Sequence, residues 1–160
     1  MERWYLACHK AGKDNVFKAQ ITLERINVMA FSPIMRTYRP RADRPGQNRQ
    51  VIEQLFPGYI FICFDPEIHH SSKIETSPGI SHLVRFAGEI APIRETVVDS
   101  VMRLPVCVQA FSSIHPGKRQ WDKNQIPLNN VQRQQIQSLV DEKDGEVRSA
   151  LFFAFIEAIR

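Results

Sequence analysis

The stretch Leu55-Phe56-Pro57-Gly58-Tyr59-Ile60-Phe61-Ile62-Cys63-Phe64-Asp65-Pro66-Glu67 constrains the fold most. Pro57-Gly58 breaks the chain, six apolar residues follow without interruption, and Asp65-Pro66 closes the run. A short apolar run rich in aromatic and β-branched residues, bounded by turn signals, reads as a strand covered on both faces. Alternation sends Tyr59, Phe61 and Cys63 one way and Ile60, Ile62 and Phe64 the other. One set faces helices of its own domain. The other, with two aromatics, packs on a second layer or receives a partner.

Other elements fall in line around this strand. Trp4-Tyr5-Leu6-Ala7-Cys8-His9 has strand composition, and Gly12 ends it. Asp14 is placed to cap a helix over 14–26 in which Val16, Ala19, Leu23 and Ile26 form a stripe, with Phe17 and Ile21 beside it. Val28 to Tyr38 returns to strand chemistry, interrupted at Ser32-Pro33. Residues 39–50 are polar, hold the turn pair Pro45-Gly46 and carry Arg39, Arg41, Arg44 and Arg49, so they read as a hairpin tip. Gln50 to Gln54 returns to the central run. Pro66 opens a short helix to about 75, with Ile68 and Ile74 inward and His69-His70-Ser71-Ser72-Lys73 displayed. Ile80 to Phe86 alternates as a strand with Ile80, His82, Val84 and Phe86 on one face. A helix over 94–104 presents Val97, Val98, Val101, Met102 and Leu104. These elements predict an α+β sandwich, an antiparallel sheet with helices against it, over residues 1–104.

Residues 105–128, with Pro105, Pro116-Gly117 and Pro127, read as a linker. In the tail, 129–160, Asn129 or Asn130 caps a helix in which Val131, Ile136, Leu139 and Val140 share a side, and Asp144-Gly145 marks a turn. Val147 to Ile159 is apolar nearly all round. As a helix it lines up Val147, Leu151, Ala154, Phe155 and Ala158; as a strand, Val147, Leu151, Phe153 and Phe155. The period alone does not choose. So apolar a segment cannot stand in water by itself, so it docks, and the first domain is the nearest surface.

Charge is uneven. Residues 1–50 carry ten Lys/Arg against four Asp/Glu, whereas 51–104 carry four against seven. An acidic partner for the first third, nucleic acid first among them, is the expectation, beside a merely solvated basic surface. Cys8, Cys63 and Cys107 are odd in number and far apart, which suits reduced thiols of a cytoplasmic protein. The amino terminus has no signal-peptide pattern, and no apolar run approaches the ~20 residues of a membrane span. Catalytic chemistry has no foothold in the pattern. Gly12-Lys13 lacks the other parts of a phosphate loop, and adjacent His69-His70 diverge on a helix with no ligand set around them. Cys8 and His9, adjacent on a strand, face opposite sides. No enzyme, no metal and no cofactor is expected.

Trp4-Tyr5-Leu6, Leu55-Phe56-Pro57-Gly58-Tyr59-Ile60-Phe61, Phe64-Asp65-Pro66 and Gly79-Ile80-Ser81-His82-Leu83-Val84-Arg85-Phe86 together resemble the N-terminal domain of the NusG family of transcription elongation factors. Phe64-Asp65-Pro66-Glu67, Ser81-His82 with Val84-Arg85-Phe86, and Asp144-Gly145-Glu146 with Arg148-Ser149 look most like its specialised RfaH branch, operon-specific antiterminators. The resemblance implies a monomer without catalysis that binds bacterial RNA polymerase and suppresses pausing and termination. It implies that Tyr59, Phe61 and Phe86 grip the polymerase clamp helices and that His70, Ser71 and Ser72 meet its gate loop. It implies contact of Lys10, Lys18, Thr22 and Ser77 with the exposed single strand of non-template DNA, Pro78 standing where the RfaH branch has arginine. In that branch the tail is a helical hairpin masking the polymerase site, which converts on release to the family's small β-barrel and so couples to the ribosome. Here Asn130 to Gln135 stand in place of the barrel's Gly-x-x-x-Gly turn, which favours the helical form, docked over Tyr59, Phe61 and Phe86. A reading of another class is a stand-alone nucleic-acid-binding regulator of RNA or translation, using the arginines of 36–49.

Overall fold

The computed structural model describes residues 1–104 and 126–160. The expected linker, 105–128, therefore lies outside the described residues except at its last three positions. Four antiparallel strands form the central sheet in the order β2 (Met29–Phe31), β5 (Tyr59–Phe64), β1 (Arg3–His9), β6 (Ile80–Leu83). The apolar run is β5, and it pairs on both edges, with Leu6 opposite Phe61 and Phe31 opposite Phe61 on the other side. A strand with neighbours on both edges and layers on both faces has no room for polar side chains, which is why six apolar residues stand together there.

The two faces bury different clusters. Ile60, Ile62 and Phe64 of β5 join Tyr5, Ala7, Ile80 and Leu83 under Ala19 and Leu23 of α1 (Lys13–Glu24) and Ile74 of α2 (Ser71–Glu75). Phe61 and Cys63 join Trp4, Leu6 and Phe31 beneath α3 (Glu95–Met102), α4 (Asn130–Ser138) and α5 (Gly145–Ala158). The alternation read along β5 is the alternation observed, and the α+β layering is the one expected. Strands β3 (Ile34–Pro40) and β4 (Asn48–Gln54) form a separate ribbon closed by the 41–47 turn, and β7 (Arg85–Phe86) pairs with β8 (Glu89–Ile90). None of the helices is long and apolar enough to cross a membrane, among the described residues.

Several local expectations are corrected. Gly12, not Asp14, precedes the first helical residue, and Asp14 sits in the first turn, where its charge still favours the helix dipole. Phe17 is 64% exposed and Ile21 is exposed as well, outside the α1 core stripe. The helix after Pro66 starts only at Ser71. Asp65 accepts from the Glu67 amide and holds the chain in a turn, leaving Ile68 exposed while Ile74 is buried. Strand 80–86 breaks at Val84, so Leu83 and Val84 are both buried and His82 is exposed, because the β1–β6 register slips between Cys8 and His9. Asn129 caps α4 in a full capping box with Gln132, yet Val131 points out.

The largest correction concerns α5. The buried side is Arg148, Ser149, Phe152, Phe155 and Ile156, whereas Val147, Leu151, Ala154 and Ala158 are exposed. Apolarity all round gave no angular signal, and the one buried charge fixed the rotation instead.

Candidate functional site

The site is the sheet face on which Phe61 and Phe86 lie, together with the carbonyl-rich bend that precedes β5. Gln54, Leu55 and Pro57 stand between β4 and β5, where backbone carbonyls have no strand to pair with. The start of α5 supplies their donors. Arg148, 1% exposed, donates through Nε to the Leu55 carbonyl (2.8 Å), through Nη2 to the Gln54 carbonyl (3.2 Å) and through Nη1 to the Glu142 carbonyl (2.8 Å). Its Nη2 also stands 3.5 Å from Oε1 of Glu53. The next residue, Ser149, donates to the Pro57 carbonyl at 3.0 Å. A buried cation is tolerated only when its donors are met and a counter-charge is near, and here both conditions hold. Asp144 caps α5 by accepting from the amides of Glu146 and Val147.

Behind this polar anchor the aromatics interlock. Phe152 stacks on Phe56 with centroids 4.1 Å apart and meets Phe61 edge-on at 5.8 Å. Phe153 stacks on Phe86 at 5.3 Å, and the Arg160 guanidinium lies 4.8 Å from the centroid of the Phe86 ring. Arg94, before α3, donates to the Ile159 carbonyl and ties down the far end of α5. Tyr59 packs half-buried against the same cluster, and burial raises its phenol above the usual range, with Cys8 beside it acting in the same direction. Tyr59, Phe61 and Phe86 are thus brought to one face, and that face lies under the tail. Phe61 also touches Phe31 and Phe56, so part of its burial belongs to the sheet itself.

His70, Ser71 and Ser72 are elsewhere. They open α2, whose Ile74 is in the other cluster, and His70 caps the helix by accepting from the Ser72 amide at 3.2 Å. Glu75 of the same helix accepts from the Leu83 amide at 3.0 Å and pairs with Arg85. Burial pushes the Glu75 carboxyl up, but the Leu83 amide and Arg85 outweigh it, and the net shift is downward.

Lys10, Lys18 and Thr22 gather on the opposite side from the tail. Lys10 receives no cover and its amide donates to the Gly79 carbonyl at 2.8 Å, while Lys18 is exposed and Thr22 half-buried on α1. Gly79 lets the turn before β6 press onto α1: a Cβ there would lie 2.2 Å from the Asn15 carbonyl oxygen. Ser77 is set apart from these three. It is buried and its hydroxyl donates to the Lys73 carbonyl, so it closes α2 rather than facing outward.

Sequence reasoning missed Arg148, Glu53, Phe56 and Phe152 as site residues. An arginine inside an otherwise apolar helix was the available signal for the first. Glu53 and Phe56 carried none, because their role depends on what α5 lays against them. No group of histidines, cysteines and carboxylates fit to hold a metal occurs among the described residues.

A structure of a Thermotoga maritima protein, described as "Domain interaction in Thermotoga maritima NusG", is similar over 65% of this chain and 57% of its own, with 19% identity and a TM-score of 0.39. The chain thus spans less than two thirds of that relative's length. The family described as "Transcription termination factor nusG" matches residues 2–102, which take in the whole central sheet with α1, α2 and α3. This chain belongs to the NusG family of transcription factors.

Proposed function

We propose that the protein is a transcription elongation factor of the RfaH kind, an operon-specific antiterminator that binds RNA polymerase through the face of Tyr59, Phe61 and Phe86 and is held inactive by its own tail. The observation that carries this reading is the packing of Phe152 and Phe153 on Phe61 and Phe86. An aromatic sheet face that takes an amphipathic helix from its own chain is shaped to take a helix from a partner. The clamp helices of the polymerase are that partner, and the two occupants exclude each other. His70, Ser71 and Ser72, on exposed or half-exposed α2, form a second polymerase contact. Lys10 and Lys18 hold the phosphates of a single non-template strand, with Thr22 in reach of a base. Ser77 supports the turn beside them. Work on the polymerase places the protein in the cytoplasm. The helical tail is the resting state, and coupling to the ribosome through a refolded barrel is no part of this reading.

Competition between tail and polymerase gives the test. Arg148→Ala loosens the tail without touching the aromatic face, so affinity for core polymerase should rise severalfold, and Tyr59→Ala in that background should lower it again. Unchanged affinity in Arg148→Ala removes the autoinhibition, and no polymerase binding by either protein removes the function. Salt-sensitive binding to RNA without polymerase would favour the stand-alone regulator instead.

A further inference from the structure

The β3–β4 ribbon is used neither by the tail interface nor by the α1 basic group, and it breaks two rules of sheet chemistry. Arg39 and Arg49 are directly opposite in register and so share one face of the ribbon. Like charges opposed across strands destabilise the pair. Glu53 takes one of them, at 3.0 Å from Arg39, and leaves Arg49 with no carboxylate partner among the described residues. On the other face, Arg36, Tyr38 and Ile52 stand together in the open, Tyr38 being 67% exposed. Residues 34–54 hold five arginines against two carboxylates, and Asp43 is spent on Arg41. Such breaches with no internal compensation mark a surface whose stabilising partner is another molecule.

We propose that this ribbon is a contact for double-helical DNA, in which Arg36, Arg44 and Arg49 hold phosphates and Tyr38 lies against the backbone sugars. Charge complementarity selects a polyanion, and geometry selects the form. A two-stranded ribbon enters the major groove of B-form DNA, about 12 Å wide. The deep, narrow major groove of an RNA helix refuses it. The base of the ribbon adjoins the other basic group: Gln54 bonds to His9 at 3.1 Å, and His9 precedes Lys10. One nucleic acid can therefore run from the α1 surface, where the proposed function puts single-stranded DNA, onto the ribbon where the duplex begins. The choice of DNA rests on that reading; the ribbon contact itself does not need polymerase.

The test is fluorescence anisotropy with the full chain, a short mixed-sequence DNA duplex, the matching RNA duplex and a single DNA strand, over a salt series. Arg44→Ala with Arg49→Ala removes two cations that have no ion pair among the described residues. It should weaken duplex binding and flatten the slope of log affinity against log salt by about 2, one phosphate per arginine. Replacing both by lysine should restore the slope, and single-strand binding should stay unchanged. An unaltered duplex affinity and slope in the alanine variant would overturn the proposal, as would RNA duplex bound as tightly as DNA. Loss of single-strand binding in Lys10→Ala with Lys18→Ala, or its absence throughout, bears on the proposed function alone.

Discussion

Arg148 donates its Nε–H to the carbonyl of Leu55 across 2.8 Å, linking the first turn of the last helix to the bend that starts the central strand. Both groups are buried, so neither has water to fall back on. Arg148→Ala leaves the Gln54, Leu55 and Glu142 carbonyls without these donors and Glu53 without its partner. Breaking a buried pair on one side costs about 3–5 kcal/mol. The cost should fall on the docking of α4 and α5 and spare the sheet. Hydrogen exchange should therefore accelerate across 130–158 and stay slow in β1 and β5.

Phe152→Ala empties the space between Phe56 and Phe61 and should cost about 3–5 kcal/mol in denaturant unfolding. Its neighbour Leu151 is exposed, so Leu151→Ala should cost less than about 1 kcal/mol. Equal effects would contradict the observed rotation of α5.

Gly145→Ala sets helix propensity against packing. Alanine is better than glycine in a helix by about 1 kcal/mol. A Cβ at 145 would nevertheless lie 2.7 Å from Cγ of Pro57, a ring with little room to move. The variant should loosen the docked tail by about 1–3 kcal/mol, seen as faster exchange over α5.

Gly79→Ala should destabilise strongly, by about 3 kcal/mol or more, since the added carbon meets backbone of α1 and the φ is +87°. Gly46→Ala shares a positive φ, +84°, but has nothing within 4 Å. It should cost only about 1 kcal/mol of backbone strain. Melting temperatures of the two variants make the comparison.

Glu75 links stability to acid. Its carboxyl titrates below the ordinary glutamate range in the folded chain because the Leu83 amide and Arg85 outweigh burial. A depressed carboxylate contributes stability that is present above the unfolded value and is lost as pH falls through the folded one. Unfolding free energy should therefore drop on acidification below the ordinary glutamate range, and Glu75→Gln should flatten that part of the curve.

Residue types alone made β5 legible. Six apolar side chains in a row cannot be solvated on either face, so both layers of the sandwich followed from one stretch. The caps of the tail helices were equally local, since Asn129 and Asp144 act on amides two and three residues away. The turn between β3 and β4 was readable from Pro45-Gly46. The expected helix from Pro66 failed because a two-residue bond from Asp65 outcompeted propensity. The slip at Val84 escaped because a register is a property of two strands, and one strand's alternation does not contain it.

By itself the sequence determined which segments pair or coil, that the central strand is sheathed on both sides, and that the tail must find cover. Burial and local hydrogen bonding act over a few residues, and the order of side chains records them. Only the tertiary structure decided which side of the last helix turns inward, because Arg148 seeks carbonyls some ninety residues earlier in the chain. It likewise decided that Phe152 and Phe153, rather than Val147 and Leu151, cover Phe61 and Phe86. A helix that is apolar all round has no preferred face until one polar group finds its partners in space.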